Sequence, residues 1–200
     1  LVVSGATPVD ISDWDFDSLT LTPPADSNVD LSLTVRATVE ESSGATVSTE
    51  QTFDLEITGV ADIPVSLQAA TAGTEDVVVP LNLSAGLTDV DGSESLSFVI
   101  VAPAGFTVQG GSQIGLNTWS LDADEAQAAM LTTPEHFSGH VDLVIRAVST
   151  EDDGNAITNE SIHGLDIAAV TDGPTISATS QGSEDGWIPI DINVQLIDQD

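Results

Sequence analysis

The sequence has no cysteine, no tyrosine and no lysine, and its only strongly basic side chains are Arg36 and Arg146. Without cysteine there is neither a disulfide nor a thiolate metal site. Two basic residues stand against 33 Asp and Glu, which gives the 200-residue chain a formal net charge of -31. A surface of that sign repels phosphate backbones and anionic lipid, so nucleic acid and direct membrane contact are excluded as partners. Long apolar runs are also missing. The longest, Phe98 to Phe106, is broken by Pro103 and Gly105 and falls far short of the roughly 20 residues of a membrane span. The N-terminal stretch LVVSGATPVD carries no basic segment, so any export signal is expected elsewhere.

What is present is enough to fold. Apolar residues make up 40% of the chain, too many for a disordered acidic tail. Folding nevertheless requires something to offset the charge.

The chain repeats itself. Arg36 to Pro64 (RATVEESSGATVSTEQTFDLEITGVADIP) matches Arg146 to Pro174 (RAVSTEDDGNAITNESIHGLDIAAVTDGP) at an offset of 110, with ten of 29 positions identical. Gly73 to Asp91 (GTEDVVVPLNLSAGLTDVD) matches Gly182 to Asp200 (GSEDGWIPIDINVQLIDQD), with seven of 19 identical. Upstream, a segment ending at Trp14 matches one ending at Trp119. The repeat is therefore about 110 residues long. Asp62-Ile63-Pro64 and Asp172-Gly173-Pro174 each close an alternating segment with a proline, which stops strand pairing and stiffens a linker. Residues 1–62 are then the C-terminal part of one module, 63–172 a complete module, and 173–200 the start of a third.

Period-2 alternation predicts strands. Val79, Leu81, Leu83 and Ala85 alternate with polar residues or proline within an expected strand over 77–87; in the later copy Ile188, Ile190, Ile192 and Val194 take that part. Val141 to Val148 reads as a strand, Thr150 to Asn155 as a hairpin loop, and a second long strand runs on to Val170. Short strands punctuated by Gly, Asp, Asn and Pro indicate an all-β fold of tandem Ig-like or cadherin-like antiparallel sandwiches. Asp122 to Met130 is the one helix-like piece. Trp14 and Trp119, at equivalent sites, are expected on the inner face. Arg36 and Arg146, also equivalent, are each expected to pair with a carboxylate on a neighbouring strand.

The acids cluster in loops, and the clusters recur: Glu75-Asp76 with Glu184-Asp185, Asp89 and Asp91 with Asp198 and Asp200, and Asp62 with Asp172. Carboxylates packed this closely repel unless they share a cation. Hard oxygen donors in flexible loops suit Ca2+, which takes 6–8 oxygens. An Ig-like strand path sorts the clusters by end. Asp62, Asp89, Asp91, Glu94, Glu151, Asp152 and Asp153 are expected at one module junction. Glu75, Asp76 and Asp172, with Glu135, are expected at the other, meeting Asp198 and Asp200 of the next module.

The G-[TS]-E-D start, the L-[TI]-D-x-D pair and the V-[AT]-D-x-P linker resemble the extender repeats of giant bacterial adhesins exported by type I secretion, the repeats-in-toxin adhesins. The resemblance spans essentially the whole chain, although the D-x-N-D-N and L-D-R-E motifs of true cadherins are absent. It implies ligand roles for Glu75, Asp89, Asp91, Asp62 and Asp172. It also implies an extracellular stalk on the bacterial surface, stiffened by Ca2+ between adjacent modules and serving attachment or biofilm formation.

Other readings are weaker. Asp89-Val90-Asp91-Gly92 does not open an EF-hand, because position twelve is Ile100. His136, His140 and His163 have no counterpart histidines in the first copy and are read as surface or loop residues rather than zinc ligands. No G-x-S-x-G elbow exists, and acids that recur at loop tips in every copy do not suit a single catalytic cleft, so no enzymatic activity is expected. A glycan- or surface-binding module is the alternative, with Trp187 as the candidate stacking residue. A purely hydrating acidic coat would scatter acids over strand faces instead of grouping them in loops. Finally, the partial modules at the two ends imply either a longer chain or head-to-tail completion of 1–62 by 173–200 of another molecule.

Overall fold

A computed structural model describes residues 7–89 and 91–197, so Asp198 and Asp200 lie outside the described residues. The chain is nearly all β, and it divides into two compact units. The first unit takes the residues up to Ala61 together with Asp89–Ser95 and Thr150–Ala156. The second takes Asp62–Thr88, Leu96–Ser149 and the residues from Ile157 onward.

In the first unit, a 3-10 turn at Phe16–Ser18 precedes an antiparallel hairpin of β1 (Leu31–Glu40) and β2 (Thr46–Leu55). Its turn is closed by Glu41 N–H to the Ala45 carbonyl at 2.9 Å and Gly44 N–H to the Glu41 carbonyl at 2.8 Å. Gly44 sits at φ 84, a left-handed conformation that favours glycine. Trp14 departs from expectation: it is 42% exposed beside the 3-10 turn, whereas Trp119 is 5% exposed in the core of the second unit. The two match in sequence but not in burial, because Trp14 belongs to a segment without strand partners.

The second unit is built from β3 (Val65–Gln68), β4 (Ala72–Thr74), β5 (Val79–Pro80), β6 (Ser84–Gly86), β7 (Glu94–Val101), β8 (Thr107–Gln109), β9 (Ser112–Gly115), β10 (Thr118–Asp122), β11 (Met130–Thr132), β12 (Gly139–Glu151) and β13 (Ala156–Ala168). The first residues of β7 and the last of β12 are counted with the first unit. One sheet runs β4-β13-β12-β7-β10-β9 and another β5-β11-β8, while β3 pairs with β6. Pairing is antiparallel at β10/β7, β10/β9, β11/β5, β11/β8 and β3/β6, and parallel at β13/β4. Alternating residues of the large sheet (Phe98, Ile100, Leu121, Leu143, Ile145, Leu165) meet Val79, Leu81, Val108 and Leu131 in one apolar core, as a sandwich requires. A further hairpin, β14 (Thr175–Ser180) with β15 (Ile190–Gln195), is exposed along its whole length.

The strand expected over 77–87 is instead two short pieces. Pro80 cannot donate to a ladder and Asn82 adopts φ 49, so the chain breaks and changes partner there. Its alternation still holds: Val79, Leu81 and Leu83 are all buried. The helix is shorter than expected, Ala123–Gln127, and a capping box starts it: Glu125 N–H donates to Asp122 Oδ1 at 2.7 Å and Asp122 N–H to Glu125 Oε2 at 2.9 Å. No helix among the described residues is long and apolar enough to cross a membrane.

The repeated G-[TS]-E-D start has a packing reason. A Cβ on Gly73 would lie 2.6 Å from Val79 Cγ2, and one on Gly182 would lie 2.6 Å from Ile188 Cγ1. Asp76 and Asp185 both turn the chain in the left-handed region, at φ 60 and 64.

Candidate metal centres

Six of the expected acids lie in the first unit, Asp89, Asp91 and Glu94 on one loop and Glu151, Asp152 and Asp153 on another. The Asp89–Ser95 loop is wound by its own side chains: Asp89 Oδ1 accepts from Asp91 N–H at 2.8 Å, and Asp91 Oδ1 accepts from Ser93 N–H and Oγ–H at 2.8 and 2.6 Å. These short-range bonds fix a D-x-D-G-S turn as Asp and Ser side chains typically do. They also hold the Asp91 carboxyl below its ordinary value. The neighbouring loop is tied to this one by Ser95 Oγ–H to the Thr150 carbonyl at 3.2 Å.

Glu151 ends β12 and is 3% exposed. Burial pushes its carboxyl up, and so do the charges of Glu94, Asp89 and Asp91; a hydrogen bond from Ser93 acts the other way. Two segments of the unit's own chain close over these loops. Asn28 Nδ2 reaches Glu151 Oε2 at 3.4 Å, and Ala61 N–H donates to Asn155 Oδ1 at 2.9 Å. Gly59 passes so close that a Cβ there would lie 2.6 Å from Glu151 Oε2. Both arginines are engaged elsewhere, Arg36 with Glu50 at 2.7 Å and Arg146 with Glu160 at 2.6 Å. Asp89, Asp91, Glu94 and Glu151 are thus concentrated in one place. Carboxylate oxygens grouped in this way are the kind of donor a multivalent cation takes.

The remaining expected ligands fall in different places. Asp152 and Asp153 are exposed, and Asp153 caps the hairpin turn through Asn155 N–H at 2.8 Å. Asp62 is half-buried at the start of the second unit. Glu75, 1% exposed in the second unit, accepts a short hydrogen bond from Val170 N–H through Oε1. Its role there is to hold the chain that follows β13.

Asp76 and Asp172 do come together, and a histidine joins them. His136 Nδ1 lies 3.0 Å from Asp172 Oδ2 and 3.8 Å from Asp76 Oδ1, and the three donor atoms fall within 4.8 Å of one another. Glu135 is 86% exposed, with Oε1 3.6 Å from His136 Nε2. His136 is thus a loop residue, as expected of it, though one set among carboxylates, whereas His140 and His163 lie within β12 and β13. Asp26 stands at the equivalent position of the preceding module and shares its φ of 56. His140 is the other histidine among acids: Nδ1 meets Asp166 Oδ1 at 2.6 Å and Nε2 meets Asp142 Oδ1 at 3.2 Å. The bond to Asp166, then that to Asp142, raises its imidazole above the ordinary value.

No protein-family model matches the chain, and no curated protein matches it.

Proposed function

We propose that this chain is a non-catalytic extender segment of a large bacterial cell-surface adhesin, stiffened by Ca2+ and projecting an adhesive end for attachment or biofilm formation. One observation carries the reading. Asp89, Asp91, Glu94 and Glu151 are gathered in the first unit, and Glu151 is almost wholly buried among the other three. Loops rich in carboxylates supply the oxygen donors that Ca2+ selects. The clusters recur with the repeat, which fits an element used once per module better than a single reactive cleft. The type I secretion route and the extracellular location rest on the resemblance of the repeat motifs to adhesin extenders. Adjacent modules of the same chain are the partners this reading requires.

The test is thermal unfolding and small-angle scattering of the protein in Ca2+ and in a chelator. Ca2+ is expected to raise the melting temperature and lengthen the particle. Identical curves in both conditions would sink the proposal.

A glycan-binding module is the second reading, and Trp187 favours it. That side chain is fully exposed, a platform on which a sugar ring could stack. A glycan array separates the two: an extender ignores it, whereas a lectin shows discrete hits that Trp187→Ala removes.

A further inference from the structure

His136 and His140 both sit among carboxylates in the second unit, and the difference between them points to a ligand. His140 offers each ring nitrogen to a different acid, Nδ1 to Asp166 and Nε2 to Asp142. An imidazole satisfied in this way needs no ion. His136 turns Nδ1 toward two acids at once, while its Nε2 lies 3.6 Å from the exposed Glu135. Its Nδ1 and Asp172 Oδ2 are shielded from solvent and stand 3.0 Å apart, yet neither makes a hydrogen bond. A proton shared between two such atoms requires near-linear alignment. A metal ion requires only that lone pairs converge on a common point. Donors bound to one ion at about 2.0–2.2 Å stand about 2.8–3.6 Å apart in octahedral or tetrahedral geometry. Nδ1 and Asp172 Oδ2 already have that spacing at 3.0 Å, and Asp76 Oδ1, 3.8 Å from Nδ1, has only to draw in.

The surroundings hold these donors in place. His136 N–H donates to Asp76 Oδ1 at 3.3 Å, which ties the two turns together. Glu75 grips Val170, two residues before Asp172, so the third donor is fixed against the turn that carries Asp76. Supporting bonds of this kind orient metal ligands. Glu75 Oε2 is itself buried beside the cluster with no hydrogen-bond partner.

We propose that Asp76, His136 and Asp172 form a binding site for a first-row transition ion, with Zn2+ the best fit. One imidazole and two carboxylates match the donor preference of Zn2+, whereas Ca2+ calls for six or more oxygens. The half-exposed setting leaves water to complete the coordination. The repeat sharpens the assignment. Asp26 occupies the His136 position of the preceding module with the same backbone angle, so the turn accepts an oxygen donor equally well. A single residue type would then set which class of metal the turn serves.

The test titrates the 200-residue protein with Zn2+ in millimolar Ca2+, which occupies clusters made of carboxylates alone. One tightly held Zn2+ per chain is expected, weakened at least about 100-fold in His136→Ala and in Asp172→Asn. His140→Ala should leave it unchanged. Co2+ in place of Zn2+ should broaden the His136 ring signals in NMR and spare those of His140. Should His136→Ala fail to fold, His136→Asp keeps the turn and is expected to lose Zn2+ by the same factor. Absence of Zn2+ binding, equal affinity in His136→Asp, or equal Co2+ broadening at His140 would overturn the assignment. None of these results touches the Ca2+ proposal, which rests on Asp89, Asp91, Glu94 and Glu151.

Discussion

The hairpin β1–β2 and the hairpin β12–β13 are two copies of one sequence pattern in opposite circumstances. Their turns coincide: Glu41 N–H to Ala45 carbonyl and Gly44 N–H to Glu41 carbonyl in one, Glu151 N–H to Asn155 carbonyl and Gly154 N–H to Glu151 carbonyl in the other. Gly44 and Gly154 share a left-handed backbone, at φ 84 and 90. Arg36 meets Glu50 just as Arg146 meets Glu160. Burial, however, differs completely. Ile145 is 0% exposed in the sandwich core, while Val35, its counterpart, is 47% exposed. Local sequence therefore determines the turn, the pairing and the ion pair, and the rest of the module determines what the hairpin is worth.

The largest expected effect tests that division directly. Ile145→Ala should destabilise the second unit by about 2–5 kcal/mol, as truncation of a packed core residue does. Val35→Ala should change stability by no more than about 0.5 kcal/mol. Denaturant unfolding of both variants decides it. A comparable loss at Val35 would mean that its face is covered, and head-to-tail completion by the exposed β14–β15 hairpin of another molecule is then the expected cause. Sedimentation checks that cause independently, since completion makes oligomers whose size grows with concentration and a persistent monomer rules it out.

Next comes the ion. Glu41 and Glu151 share one hairpin position, yet Glu41 is exposed and Glu151 is buried among acids. A cation that binds only the folded protein stabilises it by about 2.7 kcal/mol at a hundredfold excess over its dissociation constant. Asp89→Asn combined with Asp91→Asn should abolish that gain, and Glu41→Gln should leave it intact. Calorimetric melting with and without Ca2+ measures both. If Glu41→Gln removes the gain, the site has been placed in the wrong loop.

Much of the fold was legible because its signals are local. Alternation marked Val79, Leu81 and Leu83 as core even where Pro80 and Asn82 split the strand. The repeat marked the hairpins, and the scarcity of cations made the partners of Arg36 and Arg146 predictable in kind. Long-range features were not legible. Trp14 resembles Trp119 in sequence but lacks the strands that bury Trp119 between β7 and β9. His136 meets Asp76 across 60 residues, a proximity created by topology with no periodic trace. Glu75 was expected as a ligand because it recurs, and nothing local announced that its carboxylate also holds the Val170 backbone, 95 residues away.

A smaller effect concerns pH. Glu151 binds its proton more tightly folded than unfolded, so its contribution to stability is present below the ordinary value of 4.5 and is lost as pH rises through the raised value. In chelator, the melting temperature of Glu151→Gln minus that of the wild type should therefore increase with pH above 4.5. Ca2+ should reverse this trend by favouring the ionised form. A difference that stays flat in chelator would mean that water and Ser93 already satisfy the carboxylate.

The smallest effect returns to the arginines. Both pairs join Nε to a glutamate oxygen at nearly the same distance, 2.7 and 2.6 Å, but the Arg36 side chain is more exposed than that of Arg146. Exposed pairs are worth about 0.2–1 kcal/mol because water screens them and two long side chains must be held still. Arg146→Met should therefore fall within that range and Arg36→Met below it. In a chain of charge -31, each arginine also feels the summed field of the acids, so both losses should be largest at low salt. At 1 M salt, where the screening length is about 3 Å, the long-range part should vanish and only the contact itself should remain. Double-mutant cycles with Glu50→Gln and Glu160→Gln, repeated at low and high salt, separate contact from field. Equal coupling energies at the two hairpins in high salt would show that the pair, unlike the apolar face, owes nothing to its burial.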